Sequence, residues 1–236
     1  PFERENLFLS VSKRPTGAGL LAGLGGLIER KRAVGKVPPT IIYVISRADA
    51  NKLGAALAAA GFGASVGVYH AGLEARGAVH AAFMTNRVEV VVATVAFGMG
   101  IDHPSIRAVY LVGTPATLEA YYQMVGRAGR DGAPARCELL WGEADWNTIA
   151  MIKDPAGLSP PGRAAYEAGK AAMQAFCLTT GCRHAALLAH FNAGEGGVAG
   201  APGRRRPRRQ PRPPPPARAG ATTAPGRAGG RRPRAT

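Results

Sequence analysis

The stretch Glu89-Val90-Val91-Val92-Ala93-Thr94 decides the fold. Its interior is apolar at successive positions rather than alternate ones, the pattern of a strand covered on both faces. Working outward, Thr40-Ile41-Ile42-Tyr43-Val44-Ile45 has the same character. Ser65 to Tyr69, Ala108 to Val112 and Cys137 to Trp141 supply three further strands. Helical stretches separate them. Ala48 to Ala60 is rich in Ala and Leu, with a polar face at Asp49, Asn51 and Lys52 and with Gly61 as its stop. Glu74 to Met84 and Leu118 to Val125 are the next two helices. Strands alternating with helices at this spacing make βαβ units, hence a parallel sheet with helices on both faces. Ligands of such sheets gather at the carboxyl ends of the strands. The informative loops are therefore expected after Ile45, Tyr69, Thr94 and Val112.

A short strand near Asn6 to Val11 and a helix near Leu20 to Arg32 precede this region. A helical pair follows it after Pro160-Pro161, roughly Gly162 to Phe176 and Cys182 to Phe191. From Gly194 the chain is mostly Gly, Ala, Pro and Arg, a composition that cannot bury enough apolar surface to offset its ordering entropy; it reads as disordered. The resulting division is 1–36, a lead-in strand and helix; 37–153, the main α/β lobe; 154–193, the helical pair; and 194–236, the tail.

The 236 residues are 46% hydrophobic, which excludes a wholly disordered chain. The formal charge of +15 is unevenly placed: eleven arginines lie after residue 203 with no acidic residue after Glu195, so residues 1–203 carry 19 cations against 15 anions, a net of +4. Three cysteines, Cys137, Cys177 and Cys182, are too few for a disulfide scaffold and fit a reducing compartment. No apolar run reaches the roughly 18 to 20 residues that cross a bilayer. The start at Pro1, without Met and without the plan of a signal peptide, reads as a chain entered partway through and not secreted.

Three loops carry chemistry. Gln123-Met124-Val125-Gly126-Arg127-Ala128-Gly129-Arg130-Asp131-Gly132 sets two arginines three apart among glycines that let the backbone approach a ligand, which suits a polyphosphate; a surface Gly/Arg loop is the plainer alternative. Thr94-Val95-Ala96-Phe97-Gly98-Met99-Gly100-Ile101-Asp102 can cradle a phosphate or ribose, with Asp102 accepting from a sugar hydroxyl; a tight turn explains its glycines equally well. In Tyr69-His70-Ala71-Gly72-Leu73 the histidine is more often a structural loop residue than a catalyst.

Together these segments resemble the second motor lobe of superfamily 2 helicases of the RecQ family. Ile41 to Arg47 looks like motif IV, Tyr69 to Leu73 matches the YHAGL segment, Thr94 to Asp102 is similar to motif V, and Gln123 to Gly132 matches motif VI. The likeness runs from about Phe2 to Asn192 and includes Arg4-Glu5-Asn6-Leu7. It implies a RecA-like parallel sheet followed by a short helical subdomain, in a protein that couples ATP hydrolysis with Mg²⁺ to 3′–5′ unwinding of DNA. By position it makes Arg130 the arginine finger, Arg127 its phosphate-side companion and Gln123 the residue ordering their loop. Gly100 and Asp102 would lie on the ATP side. Ser46 and Thr94 would touch DNA phosphates, with Arg47 and His70 as further candidates on the same track.

Two departures qualify the resemblance. No Gly-Lys pair is followed by Ser or Thr, and no Asp-Glu dipeptide occurs, so the 236 residues contain neither a P-loop nor the family's Mg²⁺-binding box. ATP would be shared with a first RecA-like lobe, and the chain alone is expected to be inactive. The family's zinc module begins with a Cys-Arg that maps to Cys182-Arg183, but no Cys follows, and one thiolate cannot close a tetrahedral site. Cys182 would be a remnant ligand; recruiting Cys177, His184 and His190 would give an unfamiliar spacing, and the two histidines otherwise read as helix-surface groups. Cys177 and Cys137 otherwise read as core residues.

The tail keeps three readings: a basic arm binding DNA by counterion release, a nuclear localisation signal in Arg204 to Arg209, or a frame error in GC-rich DNA. Nuclear placement is expected in a eukaryote, cytoplasmic otherwise. The competing functions are a non-catalytic DNA-binding or regulatory protein that keeps one helicase lobe, and an RNA helicase lobe.

Overall fold

The computed structural model describes residues 4–14, 19–97 and 102–194. The expectations for Gly100 and for the tail fall outside them. Six strands, β1 (Leu7–Lys13), β2 (Thr40–Val44), β3 (Val66–Tyr69), β4 (Val90–Ala93), β5 (Ala108–Val112) and β6 (Ala135–Trp141), form one sheet in the order β1-β6-β5-β2-β4-β3. Every pairing is parallel. The two most apolar runs, β2 and β4, lie side by side near the middle, with Ile41 opposite Val91 and Ile42 opposite Val92.

Successive side chains of β2 enter opposite faces, as strand geometry requires. Ile42 and Val44 pack with Leu53 and Leu57 of α2 (Arg47–Leu57), and with Leu27 of α1 (Gly25–Val34). Ile41 and Tyr43 face the other way, toward Phe83 of α3 (Arg76–Met84) and Leu118, Tyr121 and Val125 of α4 (Leu118–Val125). Burying each such aliphatic side chain is worth about 1.5–3 kcal/mol, so the sheet's two covered faces are the main source of cohesion.

The helix expected from Ala48 to Ala60 is regular only to Leu57. It then widens into a π turn over Ala58–Phe62, where Gly61 takes a φ of +109°. One helix was not expected at all: α5 (Ala144–Lys153), which buries Asp145, Trp146 and Ile149 but leaves Met151 and Ile152 in solvent. The helical pair is longer than its sequence reading, α6 (Pro160–Leu178) and α7 (Arg183–Gly194). Met173, Phe176 and Cys177 of α6 and Leu187 of α7 belong to the same core as α4 and the sheet. The pair is thus seated on the lobe, with the Tyr121 and Phe176 rings 4.9 Å apart.

Candidate functional site

At the carboxyl ends of β2, β3 and β4 the chain brings the four expected phosphate-track residues to one rim. Ser46 caps α2: its Oγ accepts from the Asp49 amide at 3.0 Å and donates to the Asp49 carboxylate at 2.7 Å. Arg47 follows, exposed. His70, only 5% exposed, spans its own turn: the Gly72 amide donates to Nδ1 at 3.2 Å, which assigns the proton to Nε2, 3.2 Å from Asn51 Oδ1. A Cβ built on Gly72 would lie 3.3 Å from Arg47 Nη1 and 3.4 Å from His70 Nδ1, so that turn fits close against both. Thr94 is buried, its amide donating to Tyr69 O at 3.2 Å and its carbonyl accepting from Phe97 at 3.0 Å.

The arginine loop lies elsewhere, which corrects the expectation that the informative loops follow the strands' carboxyl ends. It comes off the end of α4 and runs straight into β6, at the amino ends of β1, β5 and β6. The physical reason is directional: α4 runs antiparallel to the strands and carries the chain from one rim to the other. Its register explains the side chains. Thr117 Oγ1 caps it by accepting from the Ala120 amide at 3.2 Å. Leu118, Tyr121, Met124 and Val125 are buried, which turns Ala120, Gln123 and Arg127 to the adjoining face. These three, with Tyr43, Val95 and Met124, line an open cleft. Arg127 is half-buried, whereas Gln123 and Arg130 are exposed. Arg130 Nη1 donates to Asp102 Oδ1 at 2.7 Å, joining two of the predicted ATP-side residues.

Tyr43 forms part of the cleft's floor. Burial pushes its phenol up to about 12, against the opposing pull of the Arg127 and Arg130 charges. Its hydroxyl donates to Phe97 O at 2.9 Å. The phenol therefore stays protonated and anchors the segment that leaves β4.

Backbone contacts hold the loop in place. Gly129 N donates to Ile106 O at 2.9 Å, and Arg107 pairs with Asp131, whose carboxyl it holds below the usual range. Arg4 and Asn6 reach across from the start of β1 to carbonyls of the loop. Gly129 has a φ of +55°, and a Cβ there would come 2.5 Å from Asn6 Nδ2 and 2.7 Å from Ala133 O, so only glycine fits. Sequence reading assigned no role to Arg4, Asn6, Tyr43 or Arg107. The one signal available was that Arg4-Glu5-Asn6-Leu7 fell within the RecQ likeness.

The expected zinc candidates do not converge. Cys177 is buried, and its thiol is pushed up to about 12 by burial. Cys182 is exposed at the start of α7, its carbonyl accepting from Ala186. His190 contacts Glu119 on α4 at 2.6 Å, and His184 packs toward β1. Among the described residues, no three of His, Cys, Asp and Glu gather as a metal-binding group. Cys137 lies in the core with its thiol likewise pushed up to about 12.

Comparison with known proteins adds the family. The helicase conserved C-terminal domain matches residues 24–132. ATP-dependent DNA helicase Q1 of Rattus norvegicus is 37% identical over 196 residues, covering 81% of this chain and 30% of the relative. The chain carries a RecQ-family helicase C-terminal lobe. The bifunctional 3′-5′ exonuclease/ATP-dependent helicase WRN of Mus musculus is 42% identical over 151 residues, 62% of this chain and 10% of that one. The RecQ lobe thus spans under a third of the length of these relatives. A DEAD box protein from Methanococcus jannaschii shares the fold, with a TM-score of 0.50 and 20% identity over 65% of this chain and 41% of its own.

Proposed function

We propose that this RecQ lobe supplies the arginine side of an ATP site and a DNA-backbone track to a helicase that unwinds DNA 3′ to 5′, and that it is inactive without a first lobe. The observation that carries this reading is the pairing of a braced loop, bearing Arg127 and Arg130 beside Gln123, with an open cleft on α4. Two guanidinium groups on a fixed backbone suit the oxygens of a triphosphate, whose γ-phosphoryl group, with Mg²⁺, supplies the chemistry when bound. Arg130 would neutralise charge on the transferring group, Arg127 would hold the adjacent phosphate and Gln123 would order the loop. Ser46, Arg47, His70 and Thr94 would meet the DNA backbone at the carboxyl ends of β2, β3 and β4, as positioning contacts without sequence preference.

The purified chain should hydrolyse ATP no faster than background, with or without single-stranded DNA. Joined behind the first lobe of the rat Q1 relative, the full chain should show DNA-stimulated hydrolysis. Arg130→Ala should cost about 10³-fold or more in turnover. ATP hydrolysis by the chain alone that Arg130→Ala abolishes would overturn the claim of inactivity. A joined protein indifferent to Arg130 would favour a non-catalytic, DNA-binding role. Duplexes with a 3′ or a 5′ single-stranded tail test the direction of travel.

A further inference from the structure

We propose that Arg4 and Asn6, at the entry to β1, are positioning residues that fix the backbone between Arg127 and Arg130 in the geometry a phosphate requires. The functional half of this statement rests on the reading of that loop as ATP-facing. Arg4 Nη2 donates to Ala128 O at 2.8 Å and to Gly129 O at 2.7 Å. Its Nε donates to Asn6 Oδ1 at 3.2 Å, which turns the Asn6 amide nitrogen toward the loop. Asn6 Nδ2 then donates to Gly129 O at 2.8 Å and to Ala133 O at 2.9 Å.

These four bonds differ from ordinary strand pairing. β1 needs only its backbone to join β6, and Ala135 N already donates to Asn6 O at 2.9 Å. The side chains go instead to carbonyls inside the loop. Ala128 and Gly129 are the residues between the two arginines, so holding their carbonyls fixes the directions in which the peptide planes, and hence the two side chains, leave the backbone. Gly129 receives two of the four donations while its own amide is held by Ile106 O on the opposite side. The loop is therefore gripped from both flanks at its midpoint. A charged donor makes the Arg4 bonds the stronger ones, and the Arg4–Asn6 bond makes the two side chains one unit.

Hydrogen exchange on the full 236-residue chain reads the clamp directly. Asn6→Ala and Arg4→Lys should each raise exchange of the amides of residues 126–134 by about tenfold, the share expected for hydrogen bonds of this kind. Amides of β2 and β4 should keep their protection. Unchanged exchange in the loop, or a rise spread evenly over the sheet, would overturn the proposal. In the full chain joined behind the rat Q1 first lobe, both variants should lower kcat at least tenfold, leaving KM for ATP and affinity for single-stranded DNA within twofold. An unchanged kcat in both variants would refute the positioning role even if exchange had risen. If the unmutated joined protein hydrolyses no ATP, the ATP reading fails, and the exchange result still decides whether the clamp exists.

Discussion

Removing the Asp145 carboxylate should cost the lobe a large part of its stability, because four donors converge on it. Arg14 Nη2 donates to Oδ1 at 2.5 Å. Oδ2 accepts from the Thr114 amide at 3.2 Å, the Thr114 hydroxyl at 3.3 Å and the Gly142 amide at 2.8 Å. The Arg14 and Asp145 side chains are 15% and 6% exposed, so water cannot readily replace the lost partner. The donors follow β1, β5 and β6, so this one side chain ties together the carboxyl ends of three strands. Taking one partner from a buried ion pair costs about 3–5 kcal/mol, and Asp145→Ala should fall in that range. Against a typical total of about 5–15 kcal/mol, the loss is a substantial fraction. Arg14→Met should cost less, since Thr114 and Gly142 continue to solvate the carboxylate. The double variant should lie below the sum of the singles, with a coupling of roughly 1–3 kcal/mol. Urea unfolding followed by tryptophan fluorescence gives these values, as Trp141 and Trp146 are both buried. A cost below about 1 kcal/mol for Asp145→Ala, or strict additivity in the cycle, would refute the convergence argument.

Further predictions concern burial, pH and packing. His103 is 3% exposed, and burial, then the Arg107 charge, lower its pKa from 6.5. The unfolded chain then takes up the proton first, so stability should be full above about pH 6.5 and fall as pH drops toward the folded value; Tm measured from pH 7.5 to 5 should flatten in His103→Gln. Glu119 is held below its ordinary 4.5 chiefly by its hydrogen bond to His190, so the small stabilisation it gives is present above pH 4.5 and lost on further acidification; His190→Gln should weaken that acid dependence. A thiol reagent should modify Cys182 quickly in the native protein, and Cys137 and Cys177 only on unfolding, because only Cys182 is exposed. Gly54→Ala would place a Cβ 2.3 Å from Val68 Cγ2 and should lower stability by about 1–3 kcal/mol, with Val68→Ala restoring much of it; a neutral Gly54→Ala by urea unfolding contradicts the packing.

The sheet was legible wherever burial alone dictates sequence. β2 and β4 are covered on both faces, and unbroken apolar runs such as Ile41 to Val44 are the pattern that such strands leave in a sequence. α5 was invisible because it mixes buried Asp145 and Trp146 with exposed Met151 and Ile152, so no apolar stripe marks it. Motif VI was legible as chemistry but not as place. The sequence singled out Gln123, Arg127 and Arg130 as a group, and the structure sets Gln123 and Arg127 on one cleft and Arg130 against Asp102. The placement of the loop's main chain at the amino ends of β1, β5 and β6 depends on the direction of α4, which residue types do not encode. The Arg4 and Asn6 contacts lie between 123 and 127 residues away in sequence, a separation no local pattern spans.

The two ends of Arg130 are held very differently, and that contrast bears on the function proposed for it. The backbone is fixed by hydrogen bonds to partly buried side chains, and each such bond is costly to leave unmade. The Arg130 guanidinium, by contrast, is paired through one bond to an Asp102 side chain that is 85% exposed. Exposed ion pairs contribute about 0–1 kcal/mol, so on the proposed ATP-facing reading a phosphoryl group carrying more charge would displace Asp102 without disturbing the backbone. A loop braced at the main chain and loosely parked at the side chain presents its cation with little reorganisation. Asp102→Asn should therefore leave loop amide exchange unchanged while altering how Arg130 is held. Rigidity placed in Arg4 and Asn6, and exchangeability placed in Asp102, are separable by mutation for that reason.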